Sequence, residues 1–215
     1  MANETGYIKY ITNEEFLRVE QFVDAIESPS MRHCYYMLMY VGIRTSEAIS
    51  LRRSDFDQGF TRVRFRLKKR KGNHITERKI PSFLSARLHT YYQTYHHMMV
   101  DGHLFFSTWR NQSKNPHLTR TTIRYKAQQM RQALGMEDTY FRRKDSKELH
   151  RLSPHTLRHY AIWKVFVASG RCIITTRDIF DHVKAETTAK YCRSLDALER
   201  EQEIMEAAFS GRRAG

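Results

Sequence analysis

Two arginines, two histidines and a tyrosine stand along this chain at spacings that suit work on a phosphodiester. Tyr191 follows His182 by nine residues, in Asp181-His182-Val183-Lys184-Ala185-Glu186-Thr187-Thr188-Ala189-Lys190-Tyr191. Upstream, Arg44 lies in Gly42-Ile43-Arg44-Thr45-Ser46-Glu47, and His155 and Arg158 lie in Ser153-Pro154-His155-Thr156-Leu157-Arg158-His159. A guanidinium offers a planar fork of donors that matches phosphate geometry. A phenol, with an unperturbed pKa of about 10, becomes a nucleophile only where a base or a positive field stabilises the phenolate. Together these residues fit one task, which is to hold a phosphodiester and let a tyrosine attack it.

Each cluster also has a plainer alternative. His155 and Arg158 are three residues apart at a helix start, so they share a face. The N-terminus of a helix already favours anions through its free N–H groups. The alternative is a surface helix with incidental basic residues, or a core histidine satisfied locally. His155 and His159 also have zinc spacing, but position 156 is threonine rather than glutamate and no third ligand is near, so no metal is expected. Arg44 follows an apolar run, where an arginine is costly to bury unless it meets an anion. Glu47 can orient it or cap the local helix, and a purely structural Arg–Glu pair is the alternative. In the basic turn Lys68-Lys69-Arg70-Lys71-Gly72, Lys71 can protonate a leaving 5′ oxygen, though spacing alone does not choose among its neighbours. A charge run is more simply a solvated face or a phosphate contact. Tyr191 is one of twelve tyrosines and says nothing alone.

The elements that must position these residues are mostly helical. Thr12 or Asn13 caps a predicted helix over 13–27, with Glu14 and Glu15 in its first turn and Phe16, Val19, Phe22, Val23 and Ile26 on one face. Pro29 starts a second, nearly continuous apolar helix through Tyr35 to Ile43, expected to be buried. A further short helix can run from Arg44 through Glu47 to Leu51. Residues 61–67 alternate Val63, Phe65 and Leu67 against Arg62, Arg64 and Arg66, which predicts a half-buried strand with a basic outer face. His74 to Pro81 reads as its antiparallel return, although its alternation is poor. Helices follow at 83–100 and from Thr119 through Met130, and 141–151 reads as an exposed polar loop. Ser153-Pro154 opens a helix that Gly170 ends, expected to be central and buried over Ala161 to Ala168. Short helices are expected at Thr175–Phe180 and Glu186–Cys192, and an amphipathic one over Asp196 to Phe209.

The bulk composition points to one folded domain and a polyanionic partner. The chain has 215 residues, 40% hydrophobic and 28% charged, enough for a core without metal or disulfide staples. Its 37 Lys plus Arg against 23 Asp plus Glu give a net charge of +14, which predicts nucleic acid as partner. Three cysteines with no Cys-x-x-Cys pair argue for a reducing compartment. The longest apolar run falls far short of the roughly 20 residues a membrane span needs. A cytoplasmic protein is expected.

In this order and spacing the motifs resemble the tyrosine recombinases, the integrase family that includes phage integrases and Xer-type chromosome-dimer resolvases. The resemblance rests on Arg44-Thr45-Ser46-Glu47, Lys71-Gly72-Asn73, His155-Thr156-Leu157-Arg158, and His182 with Tyr191, with Arg78 and Pro81 closing the hairpin. It covers roughly residues 11–195 and implies an α+β, mainly helical, single catalytic domain with a small antiparallel hairpin. Residues 1–10 are then a tail, and 196–215 a C-terminal helix and tail that docks on a neighbouring protomer or packs on its own core. Two features depart from the family. Phe180-Asp181 replaces the usual leucine-glycine, so a different approach to His182 is expected. The extra basic residues set Lys69 beside Lys71 as a rival. The family usually carries a separate N-terminal DNA-binding domain, so the chain reads as an isolated catalytic domain or as a naturally short member.

The resemblance implies that Arg44, Arg158 and His155 bind the scissile phosphate, that Tyr191 attacks it to form a 3′-phosphotyrosyl bond, and that Lys71 protonates the 5′ oxygen. His182 contacts the phosphate or positions the tyrosine, and Glu47 supports its neighbours. No cofactor or metal ion is implied. The partners would be double-stranded DNA, other protomers in a tetramer, and accessory DNA-bending proteins. Arg66, Lys68, Lys69, Arg70, Arg120 and Arg124 are the candidate DNA-binding residues. The rival functions are a type IB topoisomerase-like enzyme and a non-catalytic DNA-binding protein on the same fold.

Overall fold

Thr12 opens the chain's first helix, α1 (Asn13–Asp24), with a reciprocal cap. Its hydroxyl accepts from the Glu15 N–H at 3.1 Å, and the Glu15 carboxylate accepts from the Thr12 N–H at 2.9 Å. The computed structural model describes residues 10–67, 74–107, 116–142, 148–182, 185, 186, 188 and 189. Helix α2 (Pro29–Tyr36) starts at the expected proline, capped by Ser28. The apolar run then widens into a π turn, Met37–Val41, and ends at Gly42 with φ 63° and ψ 33°. Tyr35, Met37, Leu38, Met39, Val41 and Ile43 are all buried, as the continuous apolar run requires. A four-residue helix, α3 (Thr45–Ala48), follows at once.

Strands β1 (Arg62–Arg66) and β2 (Ile75–Lys79) pair antiparallel, with Arg62 opposite Lys79 and Arg66 opposite Ile75. In β1 the expected alternation holds, with Val63 and Phe65 inward and the arginines outward. In β2 the faces are exchanged relative to polarity. Ile75 is 63% exposed, while Thr76 and Arg78 are buried. This explains why the return strand is hard to read from its pattern.

Helix α4 (Ser82–Tyr95) and helix α5 (Arg120–Leu134) follow this hairpin in sequence, and α5 is capped by Thr119 as expected. The 141–151 stretch is not simply an exposed loop. Strands β3 (Thr139–Arg142) and β4 (Glu148–His150) form a second antiparallel pair with a register shift between Thr139 and Phe141. Helix α6 (Pro154–Ala168) and helix α7 (Ile173–Ile179) follow. The fold class is α+β and mainly helical, as expected. Among the described residues, two two-stranded sheets stand where a single one was expected. The C-terminal helix expected over 196–209 lies outside the described residues.

The chain forms two compact units, one of residues Lys9–Ala161 and a second that begins at Ile162. In the first, long-range side-chain bonds lock the helices together. Tyr35 donates to the Ile123 carbonyl at 2.8 Å, and Tyr91 to the Leu104 carbonyl at 2.8 Å. Phe16 stacks on Tyr160 with ring centroids 4.0 Å apart, and Tyr160 donates to Asn13. A stacked aromatic pair adds about 0.5–1.5 kcal/mol to the area it buries. Arg151 grips Glu15 with two bonds of 2.7 and 2.6 Å. Arg131 donates to the Leu152 carbonyl at 3.3 Å. These bonds fix the entry to α6 against α1 and α5.

Candidate active site

The site is built around the turn that joins the π segment to α3. Gly42 occupies the left-handed region, which glycine reaches without steric cost. Its conformation turns the chain so that Arg44 begins α3. The Arg44 backbone N–H donates to one Glu47 carboxylate oxygen, and its Nη1 donates to the other, both at 2.8 Å. The Glu47 side chain is fully buried, while that of Arg44 keeps 22% exposure. A buried carboxylate is expensive unless charge-paired and hydrogen-bonded, and Arg44 provides both. One face of Arg44 is therefore anchored and another is left open to solvent.

Helix α6 brings the second cluster. Ser153 and Thr156 cap its start reciprocally, with the Thr156 N–H donating to the Ser153 hydroxyl at 3.3 Å and the Ser153 N–H to the Thr156 hydroxyl at 3.2 Å. The Thr156 hydroxyl also donates to the Arg151 carbonyl at 2.6 Å. His155 is exposed on the first turn. It meets His159 edge to face, with centroids 4.2 Å apart. Arg158, one turn inward, is only 2% exposed. Its Nη1 donates to the Gly42 carbonyl. The guanidinium of Arg158 thus sits at the turn that leads into Arg44. Sequence spacing gave the two boxes, and the fold joins them at one carbonyl oxygen.

A third arginine, quoted from sequence only as part of the hairpin end, reaches the same turn. Arg78 is 5% exposed and donates through Nη1 to the carbonyls of Val41 and Gly42, each at 3.1 Å. Its guanidinium lies 5.2 Å from the centre of the Phe65 ring. An aromatic face and two carbonyls compensate a cation that water no longer solvates. The signal available in sequence is the failed alternation of β2, where a charged residue falls on the inward register.

The second unit holds His182, which is 8% exposed. Its Nδ1 is 2.9 Å from the Thr188 hydroxyl, and its backbone N–H donates to the Arg177 carbonyl at 3.1 Å. Asp181, in the place of the family's glycine, has φ 51°. The chain therefore makes a left-handed turn before His182 without a glycine, which aspartate tolerates better than most residues. Tyr191, Lys71, Lys68, Lys69 and Arg70 lie outside the described residues. Arg66, Arg120 and Arg124 are exposed. Arg62 and Arg64 both bond Glu77 across the hairpin, at 3.0 and 2.8 Å. Among the described residues, no group of three or more His, Cys, Asp or Glu could hold a metal ion. No described helix is long and apolar enough to cross a membrane.

The model of the Phage integrase family matches residues 9–197. No curated protein matches. Among solved structures, the chain is similar to XerA recombinase, with 21% identity, TM-score 0.67, and coverage of 96% of this chain and 65% of that one. It is similar to XerH site-specific recombinase in a post-cleavage complex with palindromic difH substrate, with 19% identity, TM-score 0.68, and coverage of 96% and 55%. It is also similar to the catalytic domain of bacteriophage HP1 integrase, with 17% identity, TM-score 0.57, and coverage of 94% and 98%. The chain thus spans less than two thirds of the XerA and XerH structures, and nearly the whole of the HP1 catalytic domain.

Proposed function

The chain belongs to the phage integrase family of tyrosine recombinases, and on that premise we propose that it cleaves and rejoins double-stranded DNA at specific sites through a 3′-phosphotyrosyl intermediate. The observation that carries this reading is the meeting of Arg158 with the Gly42 turn that presents Arg44.

Arg44, Arg158 and His155 bind the two free oxygens of the scissile phosphate. Attack by the Tyr191 oxygen on phosphorus builds a pentacovalent transition state, whose equatorial oxygens carry more charge than the ground state. Fixed guanidinium groups therefore bind the transition state better than the substrate, and this difference is what accelerates the step. The P–O bond to the 5′ oxygen breaks as the tyrosyl bond forms; the Tyr191 phenol gives its proton to solvent, and Lys71 delivers one to the 5′ oxygen and is reprotonated from solvent. His182 supports the phosphate or the tyrosine. Rejoining reverses the sequence, with a 5′ hydroxyl attacking the phosphotyrosyl bond. The energy of the broken linkage is retained in the covalent bond, so no nucleotide hydrolysis is required. Exchange between two duplexes calls for four protomers, and XerH recombinase is seen bound to its palindromic difH substrate.

Nicked suicide substrates built on a library of candidate inverted repeats test the proposal. Wild-type protein should accumulate a covalent adduct, and Tyr191→Phe should not. An adduct formed by Tyr191→Phe would refute the nucleophile. DNA binding without any adduct would make the protein a non-catalytic binder. Relaxation of site-free supercoiled plasmid would move it to the topoisomerase class.

A further inference from the structure

Two arginines meet at one backbone carbonyl, and a third lies two residues beyond it. The Gly42 oxygen accepts from Arg78 and from Arg158, and Arg78 also takes the preceding carbonyl of Val41. A carbonyl oxygen has two acceptor lobes, so two donors from opposite elements fix its direction. The carbonyls at the end of a helical segment lack intrahelical partners and need such donors. Arg78 approaches from β2, Arg158 from α6, and Arg44 lies two residues beyond the oxygen that both hold.

We propose that Arg78 is a positioning residue for phosphate binding, which sets the Gly42 carbonyl and through it the separation of Arg44 from Arg158. The inference rests on the reading of those two arginines as phosphate ligands. Arg78 itself is buried, with its guanidinium 5.2 Å from the Phe65 ring centre and bonded to the carbonyls of Val41 and Gly42. Its effect passes through the peptide of residues 41 and 42. Two guanidinium groups must lie within a few tenths of an ångström of their places to share the oxygens of one phosphate. A turn released from Arg78 lets Arg44 drift while DNA binding, which draws on many exposed basic residues, is retained.

The test measures adduct formation on a suicide substrate as a function of DNA concentration. Arg78→Met should slow the rate at saturating DNA by about 10- to 100-fold, with the half-saturating concentration changed less than about twofold. Arg78→Lys, which keeps the charge but not the planar fork, should recover part of the rate. In an Arg44→Lys background, Arg78→Met should add little, because residues that act through one another are not additive. A wild-type rate in Arg78→Met overturns the inference alone. So does an equal loss in both backgrounds, or a failure of both Arg78 variants to fold, since each marks plain structural support. A wild-type protein that forms no adduct overturns the recombinase reading, and this inference falls with it.

Discussion

Glu47, with none of its side chain exposed, takes both the main-chain N–H and the Nη1 of Arg44 at 2.8 Å. One carboxylate thus fixes the backbone and the head group of the same arginine. Glu47→Gln leaves one acceptor and turns a donor toward a guanidinium. It should slow adduct formation about tenfold or more, since charge-assisted bonds are roughly twice as strong as neutral ones. Glu47→Ala should also destabilise the fold by on the order of 3 kcal/mol, as removal of one partner from a buried pair does. Urea unfolding together with the adduct assay separates the two losses.

Gly42 and Gly135 share nearly the same backbone, at φ 63°, but differ in surroundings. A side chain at Gly135 would meet nothing within 4 Å. Gly135→Ala should cost about 1–2 kcal/mol, the left-handed penalty alone, and leave cleavage intact. Gly42→Ala should carry the same penalty and slow adduct formation as well, because its carbonyl seats Arg78 and Arg158. Equal cleavage rates in the two variants would remove the Gly42 turn from the mechanism.

Burial pushes the His33 imidazole down to about 4, against a bond of 2.7 Å to the Pro29 carbonyl and a stack on Tyr91. The unfolded chain takes up that proton near pH 6.5, the ordinary histidine value. Stability is therefore complete above about pH 6.5 and falls as pH drops toward 4, by on the order of 3 kcal/mol in all. The urea midpoint of wild type should decline over this window, and that of His33→Gln should decline less. Parallel curves would contradict the assignment.

Burial opposes ionisation of Glu15, but the bonds from Arg151 and the Thr12 N–H, with the nearby arginine charges, together outweigh it and hold the carboxyl below its usual range. The pair therefore stabilises the fold above about pH 4.3, the ordinary glutamate value, and fails as pH falls through the lowered one. Glu15→Gln should cost about 1–3 kcal/mol at neutral pH, the range for bonds to charged groups. The variant should lose less stability than wild type on further acidification, as calorimetry at neutral and acidic pH would show.

DNA affinity should fall with salt by about 0.9 in log–log slope for each phosphate neutralised. Glu77 bonds both Arg62 and Arg64 on the outer face of the hairpin. Glu77→Gln should free them, tighten binding at low salt and steepen the slope. An unchanged slope would take this face off the DNA.

The parts of the site that were legible in sequence are those with a local signature. Ser153-Pro154 fixes a helix start, and a spacing of three then places His155 and Arg158 on it. Arg44 and Glu47 are three apart, and their pairing follows from that spacing. The parts that were not legible depend on the partner rather than the segment. Arg78 faces inward because Val41 and Gly42 offer carbonyls and Phe65 offers a ring, none of which β2 announces. Strands β3 and β4 read as loop because they are only four and three residues long and the sequence between them is polar and basic. The π turn was invisible because an unbroken apolar run satisfies any helical pitch. Asp181 was expected to change the approach to His182, yet it enters the left-handed region that glycine would use.

The π turn has a consequence for how this chain tolerates insertions and deletions. In an α-helix each residue advances the chain by about 100° of rotation. Removing one residue from Met37–Val41 with the pitch of the turn unchanged would keep every apolar neighbour in kind. It would also swing the peptide that follows by roughly that angle, so that Gly42 no longer faced Arg78. The wide turn thus acts as a phase setting for the arginine beyond it. Substitutions within 37–41 should be forgiven as long as they stay apolar, whereas a change of length by a single residue should not be.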